Sequence, residues 1–93
     1  MSKYRIFETR EFQKRLENLD LPQRNFILKK LKDQIYPQLR QDPYWGRGIK
    51  RLRNWEPAVW RYRVGWFRLF YTINEEEKII YMLTVDHRKN AYR

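Results

Sequence analysis

The pattern of hydrophobic and polar positions at the start of the chain predicts a strand followed by a helix. Within residues 3–8, Tyr4 and Ile6 alternate with Arg5 and Phe7, as expected of a strand with two different faces. Thr9 is a suitable N-cap, because its hydroxyl can accept a backbone N–H of the first helical turn. We therefore expect a helix over residues 10–19, with an apolar stripe formed by Phe12, Leu16 and Leu19.

A second helix is predicted directly after Asp20. Pro22 suits its first turn, where the N–H that proline lacks is not needed. Apolar residues then keep helical spacing, at Phe26, Ile27, Leu28, Leu31, Ile35 and Leu39. Pro37 stands inside this pattern, so we expect the helix to kink or end near Tyr36. The two stripes together indicate a helical hairpin packed on a sheet.

The rest of the chain has the patterning of β-structure. Residues 41–48 hold two of the three glycines and predict a loop, and residues 49–57 are basic and extended. Three strands are expected to follow, over residues 58–64, 66–73 and 78–86.

Length and composition are those of one small folded domain. The chain has 93 residues, of which 42% are hydrophobic and 17% aromatic, and this content is too apolar for a disordered segment. Residues 1–93 are therefore predicted to form a single domain. The expected fold is of the α+β class, with an N-terminal strand and a two-helix hairpin packed on a small antiparallel β-sheet, in the order β-α-α-β-β-β.

Charge and the scarcity of Cys and His narrow the function. Lys and Arg number 21 against 11 Asp and Glu, a net charge of +10, which favours a polyanionic partner. With no Cys and one His, the chain lacks a disulfide framework, thiolate or multi-His metal sites, and paired-His ribonuclease chemistry. No cofactor is expected. No apolar run approaches the length of a membrane span or signal peptide, so we expect a cytoplasmic protein without membrane contact.

The strands around Gly65 and Trp66 form a predicted hairpin that collects arginines. A two-residue loop there pairs Arg63 with Arg68 across the strands. One face of the hairpin then carries Trp60, Tyr62, Val64, Phe67, Leu69, Tyr71 and Ile73, and the other carries Val59, Arg61, Arg63, Arg68, Phe70 and Thr72.

Opposed like charges destabilise a β-ladder, so this arginine face indicates a bound anion. Lys50, Arg51 and Arg53 add charge nearby, and together these cations predict a phosphate-binding surface. The alternative is a solvated basic face whose arginine stems cover Phe70. Three aromatic residues flank the basic segment and are candidates for stacking on nucleobases or for packing, namely Tyr44, Trp45 and Trp55.

Two stretches of the second half resemble the RelE-type toxins of the RelE/ParE superfamily of toxin–antitoxin systems. Residues 59–71 are similar to the family's W-R-x-R-x-G-x-[YF]-R-[LVI]-x-Y hairpin, and residues 85–93 to its H-R-x-x-x-Y-[RK] ending. The resemblance implies a ribosome-dependent endoribonuclease that cleaves mRNA in the decoding site. It also implies a cognate RelB-like antitoxin as a partner.

The resemblance implies roles for single residues. Arg68 matches the arginine at the scissile phosphate, Arg88 the second catalytic arginine, and Tyr92 the C-terminal tyrosine. Arg61 matches a basic residue that contacts the RNA backbone, and His87 is a further catalytic candidate that would share the acid–base role of Tyr92. The remaining cations are candidates for binding RNA or the ribosome, namely Arg63, Lys50, Arg51, Arg53 and Lys89.

The chemistry expected of these residues uses the substrate's own 2′-OH as nucleophile. The fixed charges of Arg68 and Arg88 suit the crowded phosphorane. Neighbouring arginines should lower the pKa of the Tyr92 phenol and make it a better base. The general acid stays open between Arg88, His87 and a water.

Two other functions remain open on the sequence. The chain departs from the pattern of the RelE-type toxins at Val59, where some relatives have a further basic residue. The ParE branch shares the fold but inhibits gyrase, and it generally lacks the arginine–tyrosine set. The third alternative is a non-catalytic RNA-binding module.

Overall fold

The computed structural model describes residues 3–87. In chain order the elements are β1 (Arg5–Glu8), α1 (Arg10–Glu17), α2 (Leu21–Lys30), a π-helical turn (Leu31–Ile35), α3 (Tyr36–Gln41), β2 (Ile49–Arg51), β3 (Trp60–Val64), β4 (Phe67–Asn74) and β5 (Ile79–His87).

Both predicted helix starts are confirmed by their caps. The Thr9 hydroxyl accepts the Phe12 N–H at 3.2 Å, and the Asp20 carboxylate accepts the Gln23 N–H at 3.3 Å. Each side chain thereby satisfies a donor that the helix leaves unpaired at its N-terminus. Helix α1 ends at Glu17, two residues earlier than predicted.

Of the two outcomes predicted near Tyr36, a kink or an end, the helix does not end there, but it is irregular directly before that residue. The chain stays helical through Pro37 to Gln41. Ahead of the proline it forms a π-helical turn, in which the Tyr36 N–H donates to the carbonyl of Leu31, five residues back. Proline removes one helical donor and crowds the preceding turn, and the wider π turn accommodates it.

The strands form one five-stranded sheet in the order β1-β5-β4-β3-β2. The α+β class is confirmed, and β2 to β5 pair antiparallel. Strand β1 is the exception, because it lies parallel to β5 with Ile6 beside Ile80. The basic segment after the loop supplies the short edge strand β2.

The predicted β3–β4 hairpin is confirmed in register. Arg63 lies opposite Arg68, and Gly65 has a φ of +56°, a value that favours glycine in a two-residue turn. The inner face is buried against the helices at Tyr62, Phe67, Leu69 and Tyr71. Val59 is buried ahead of the start of β3, and it is not among the residues of the core cluster between the helices and the sheet.

A β-bulge in β5 decides which side chains of its last residues face the core. Phe70 pairs with Thr84 while Tyr71 pairs with Met82, so Leu83 is the additional residue. Because a bulge shifts the alternation by one, Met82 and Val85 are both buried.

The core lies between the helices and one face of the sheet. Its buried residues are Tyr4, Phe12, Leu16, Ile27, Leu31, Ile35, Leu39, Tyr62, Phe67, Leu69, Tyr71, Ile80, Met82 and Val85. No helix in the described part of the chain has the length and apolar character needed to cross a membrane.

Candidate nucleic-acid interface

Four cations share the sheet face that points away from the helices. Lys50 on β2 lies opposite Arg61 on β3, and Arg63 on β3 lies opposite Arg68 on β4. We call these four residues the basic face. The Lys50–Arg61 pair and the Arg63–Arg68 pair are adjacent on this face, so the four positive charges concentrate on one surface. Within residues 3–87, no carboxylate pairs with Lys50, Arg61 or Arg63.

Arg61 is the most confined cation of the basic face. Burial lowers the pKa of its guanidinium, and the charges of Arg63 and Arg68 lower it further. Its Nη2 donates to the Gly48 carbonyl at 3.4 Å, and its Nε has no hydrogen-bond partner among residues 3–87. An anion bound beside this guanidinium would offset the repulsion among the three charges, so Arg61 stays a predicted phosphate contact.

The loop before β2 is held tightly against β3 at Gly48. The Arg63 N–H donates to the Gly48 carbonyl at 3.0 Å. A side chain at Gly48 would place its Cβ 2.5 Å from the Arg63 carbonyl oxygen, and the φ of Gly48 is +85°. Only glycine fits this close approach, so the loop can support the backbone beneath Arg61 and Arg63.

Arg68 has a partner that the sequence analysis missed. Asp86 lies opposite it on β5, and Arg68 Nη2 is 2.9 Å from Asp86 Oδ2. The Arg68 Nε is buried without a hydrogen-bond partner in residues 3–87. The pair depends on the register between β4 and β5. Because the bulge shifts that register, the alternation of side chains in the sequence does not reveal it.

The structure does not bring His87 to the arginines. His87 lies opposite Phe67 and is 8% exposed, on the face that packs against the helices. Its ring centroid is 4.6 Å from that of Phe67, and its Nε2 has no partner among the described residues. A catalytic role for His87 stays a prediction. No three His, Asp or Glu side chains within residues 3–87 are placed to hold a metal ion.

The remaining site candidates lie in four different places. Lys50 is part of the basic face, whereas Arg51 lies in the row of Trp60, which packs against the core. Arg53 is exposed in the segment after β2. Three candidates lie outside the described residues: Arg88, Lys89 and Tyr92.

Two of the three flanking aromatic residues are free to contact a ligand. Trp45 is 81% exposed and Trp55 is 59% exposed. Tyr44 is engaged within the fold, because its ring lies edge-on to Trp60 with centroids 5.3 Å apart. Stacking of Trp45 and Trp55 on nucleobases therefore stays a prediction.

A second polar cluster lies at the other end of β4, where Glu75 begins the turn to β5. Its carboxylate accepts the Tyr4 hydroxyl at 2.8 Å and the Tyr44 hydroxyl at 2.5 Å, and pairs with Lys78. We call these four residues the Glu75 cluster. Lys78 and the two hydroxyls hold the pKa of Glu75 down at about 2. Burial and the nearby carboxylate raise the pKa of Tyr44.

A sequence model of the ParE toxin family, described as the ParE toxin of the type II toxin–antitoxin system parDE, matches residues 6–92. The match spans nearly the whole chain. The chain belongs to this family, within the RelE/ParE superfamily. None of the curated proteins matches its sequence.

The fold is that of solved RelE toxins. The RelBE2 toxin–antitoxin complex from Mycobacterium tuberculosis is 29% identical, with a TM-score of 0.71 over 92% of this chain and 99% of that one. The archaeal RelE–RelB complex from Pyrococcus horikoshii OT3 is 21% identical, with a TM-score of 0.70 over 92% and 96%. A mutant of E. coli RelE in the free state is 18% identical, with a TM-score of 0.67 over 99% and 90%.

Proposed function

We propose that this toxin is a ribosome-dependent endoribonuclease that cleaves mRNA and thereby inhibits translation. The basic face is the observation that carries the proposal. It places Arg61, Arg63 and Arg68 on the sheet face opposite the helices, where the described part of the chain supplies one carboxylate, that of Asp86, for the three guanidiniums. Guanidinium donors fixed on strands suit phosphate and the charge that develops during its substitution.

The chemistry needs no nucleophile from the protein. The 2′-OH of the RNA attacks the adjacent phosphorus, and the bond to the 5′ oxygen breaks. The departing 5′ oxygen takes a proton from Arg88 or from a water, since His87 lies on the core face, and the products carry a 2′,3′-cyclic phosphate and a 5′-OH. Arg68 stabilises the pentacoordinate phosphorane, with Arg88 as the second cation. Tyr92 takes the proton from the 2′-OH as general base. The roles of Arg88 and Tyr92 follow from the family resemblance.

The ribosome has a physical part in this proposal. Arg61, Arg63 and Arg68 lie on a sheet face, and such a surface binds an RNA backbone without fixing the angle of in-line attack. A message held in the decoding site supplies that orientation. The net charge of +10 adds sequence-independent affinity for ribosomal RNA through counterion release.

A cognate RelB-like antitoxin is the proposed partner that silences the toxin. The solved M. tuberculosis and P. horikoshii relatives are toxin–antitoxin complexes, and the toxin of the first is 29% identical to this chain. Antitoxin binding would keep the basic face from RNA until the antitoxin is removed.

The second candidate is a gyrase inhibitor, which the ParE family match favours. Induction of the toxin, followed by mapping of RNA 5′ ends in translated messages, separates the two. Cuts within codons, in the reading frame, support the ribonuclease. Intact messages together with gyrase-dependent DNA breaks support the inhibitor and overturn the proposal.

A further inference from the structure

Arg68 lies between a cation and an anion in one row across the sheet. Arg63 faces it from β3, and Asp86 faces it from β5. The side chains of Arg68 and Asp86 are 32% and 34% exposed, so their ion pair lies where a ligand of the basic face would bind.

Asp86 engages a donor that a phosphate would also use. A guanidinium binds phosphate through two adjacent N–H groups, and Nη2 belongs both to the pair with Nη1 and to the pair with Nε. The Asp86 carboxylate contacts Nη2 at 2.9 Å. Because Nη2 carries two hydrogens, one stays available to a phosphate beside the carboxylate.

The charges around Arg68 show what Asp86 contributes. Arg63 repels Arg68 across the β3–β4 ladder. Within residues 3–87, Asp86 is the one acidic side chain that pairs with an arginine of the basic face. Without it, nothing in this row holds the Arg68 guanidinium against that repulsion.

We propose that Asp86 is a positioning residue for Arg68. Its carboxylate fixes the guanidinium plane for the scissile phosphate, and its negative charge lowers the affinity of the free toxin for RNA. The catalytic part of this inference rests on the proposed function. One contact therefore has two opposite effects, weaker binding and faster chemistry.

The variant Asp86→Asn separates these effects. We expect its affinity for a short single-stranded RNA, measured by fluorescence anisotropy, to rise about fivefold. The salt dependence should also become steeper, since one anion has been removed from the binding face. Its single-turnover cleavage on programmed ribosomes should fall about tenfold or more, because the neutral amide oxygen accepts the Nη2 donor more weakly and holds the Arg68 guanidinium less firmly. A side chain that only supported the fold would not raise affinity while slowing cleavage.

Glu76→Gln is the matched control, since it makes the same change in net charge at an exposed turn residue outside both clusters. It should bind RNA and cleave as the wild type does. In the Arg68→Ala background, Asp86→Asn should lose most of its effect on affinity. If Asp86→Asn raised RNA affinity equally in the wild-type and Arg68→Ala proteins, the effect would come from the net charge of the protein, and the proposed action through Arg68 would be wrong.

Failure of the inference and failure of the proposed function give different results. If the wild type does not cleave message on ribosomes, the proposed function fails, whatever Asp86→Asn does to RNA affinity. If the wild type cleaves and Asp86→Asn cleaves equally well, or binds no tighter than Glu76→Gln, the inference is wrong. Should Asp86→Asn fail to fold, Asp86→Glu replaces it. That variant keeps the charge and wild-type affinity but shifts the guanidinium, so a wild-type cleavage rate would overturn positioning.

Discussion

The two ends of strand β4 carry polar clusters of opposite design. At the end of β4, the Glu75 carboxylate accepts two hydroxyls and pairs with Lys78, so each charge is met by a partner within the fold. At its start, Arg68 joins Arg61 and Arg63 in an excess of positive charge. The Nε donors of Arg61 and Arg68 have no partner within residues 3–87.

A structural cluster and a binding cluster differ in whether their polar groups satisfy each other within the fold. A cluster whose donors and acceptors satisfy each other gains stability from the fold itself. Like charges held together with free donors cost stability until a ligand neutralises them. Substitutions in the Glu75 cluster should therefore change the stability of the fold, and substitutions in the basic face should change RNA binding and cleavage.

The largest effect should come from Arg68→Ala. It removes a charge contact that strengthens as the phosphorane forms, so single-turnover cleavage on ribosomes should fall by about 10²–10³. The melting temperature should change little, because the variant also relieves the repulsion from Arg63. A cleavage rate within threefold of wild type, roughly 0.7 kcal/mol, would remove Arg68 from the chemistry.

Removing a single hydroxyl should have different consequences at Tyr92 and in the Glu75 cluster. Tyr92→Phe should slow the chemical step by about 10² while ribosome binding stays near wild type, because only the proton-handling oxygen is lost. Tyr44→Phe should lower the melting temperature without changing that step, since its hydroxyl serves Glu75. If Tyr92→Phe cleaves at the wild-type rate, Tyr92 is not the general base.

A smaller effect should distinguish Lys50 from its neighbour. Lys50→Ala removes a cation of the basic face, so RNA affinity should fall severalfold and the salt slope by about 0.7–1. Arg51→Ala makes the same charge change in the row of Trp60 and should weaken binding less. Titration of an RNA oligonucleotide at several salt concentrations measures both. If both variants lost RNA affinity equally, net charge alone would determine binding, and the position of Lys50 on the basic face would not matter.

The smallest effect on activity should come from Glu75→Gln, whose consequence is a pH-dependent stability. The pKa of Glu75 is about 2 in the folded chain, below its ordinary value of 4.5. A depressed folded pKa gives stability that is fully present above about pH 4.5 and is lost as the pH falls through about 2. The melting-temperature gap to wild type should shrink over that range. A gap that is constant down to pH 2 would contradict the role of the charge.

The sequence determined the local structure because the decisive interactions there are short in range. Thr9 and Asp20 cap the helices that follow them, and Gly65 sets the hairpin register that opposes Arg63 to Arg68. The arginine face of that hairpin was predictable for the same reason, since a two-residue turn fixes which side chains alternate to each side.

Tertiary structure decided what depends on distant partners. The parallel pairing of β1 with β5 joins residues more than seventy positions apart, and no turn specifies it. The passage of the helix through Pro37 required a π turn that apolar spacing does not reveal. The bulge at Leu83 then set the alternation of β5, which placed Asp86 beside Arg68 and turned His87 into the core. Alternation predicts a face only while the ladder is regular, so one inserted residue decided that Asp86, and not His87, lies on the side of the basic face.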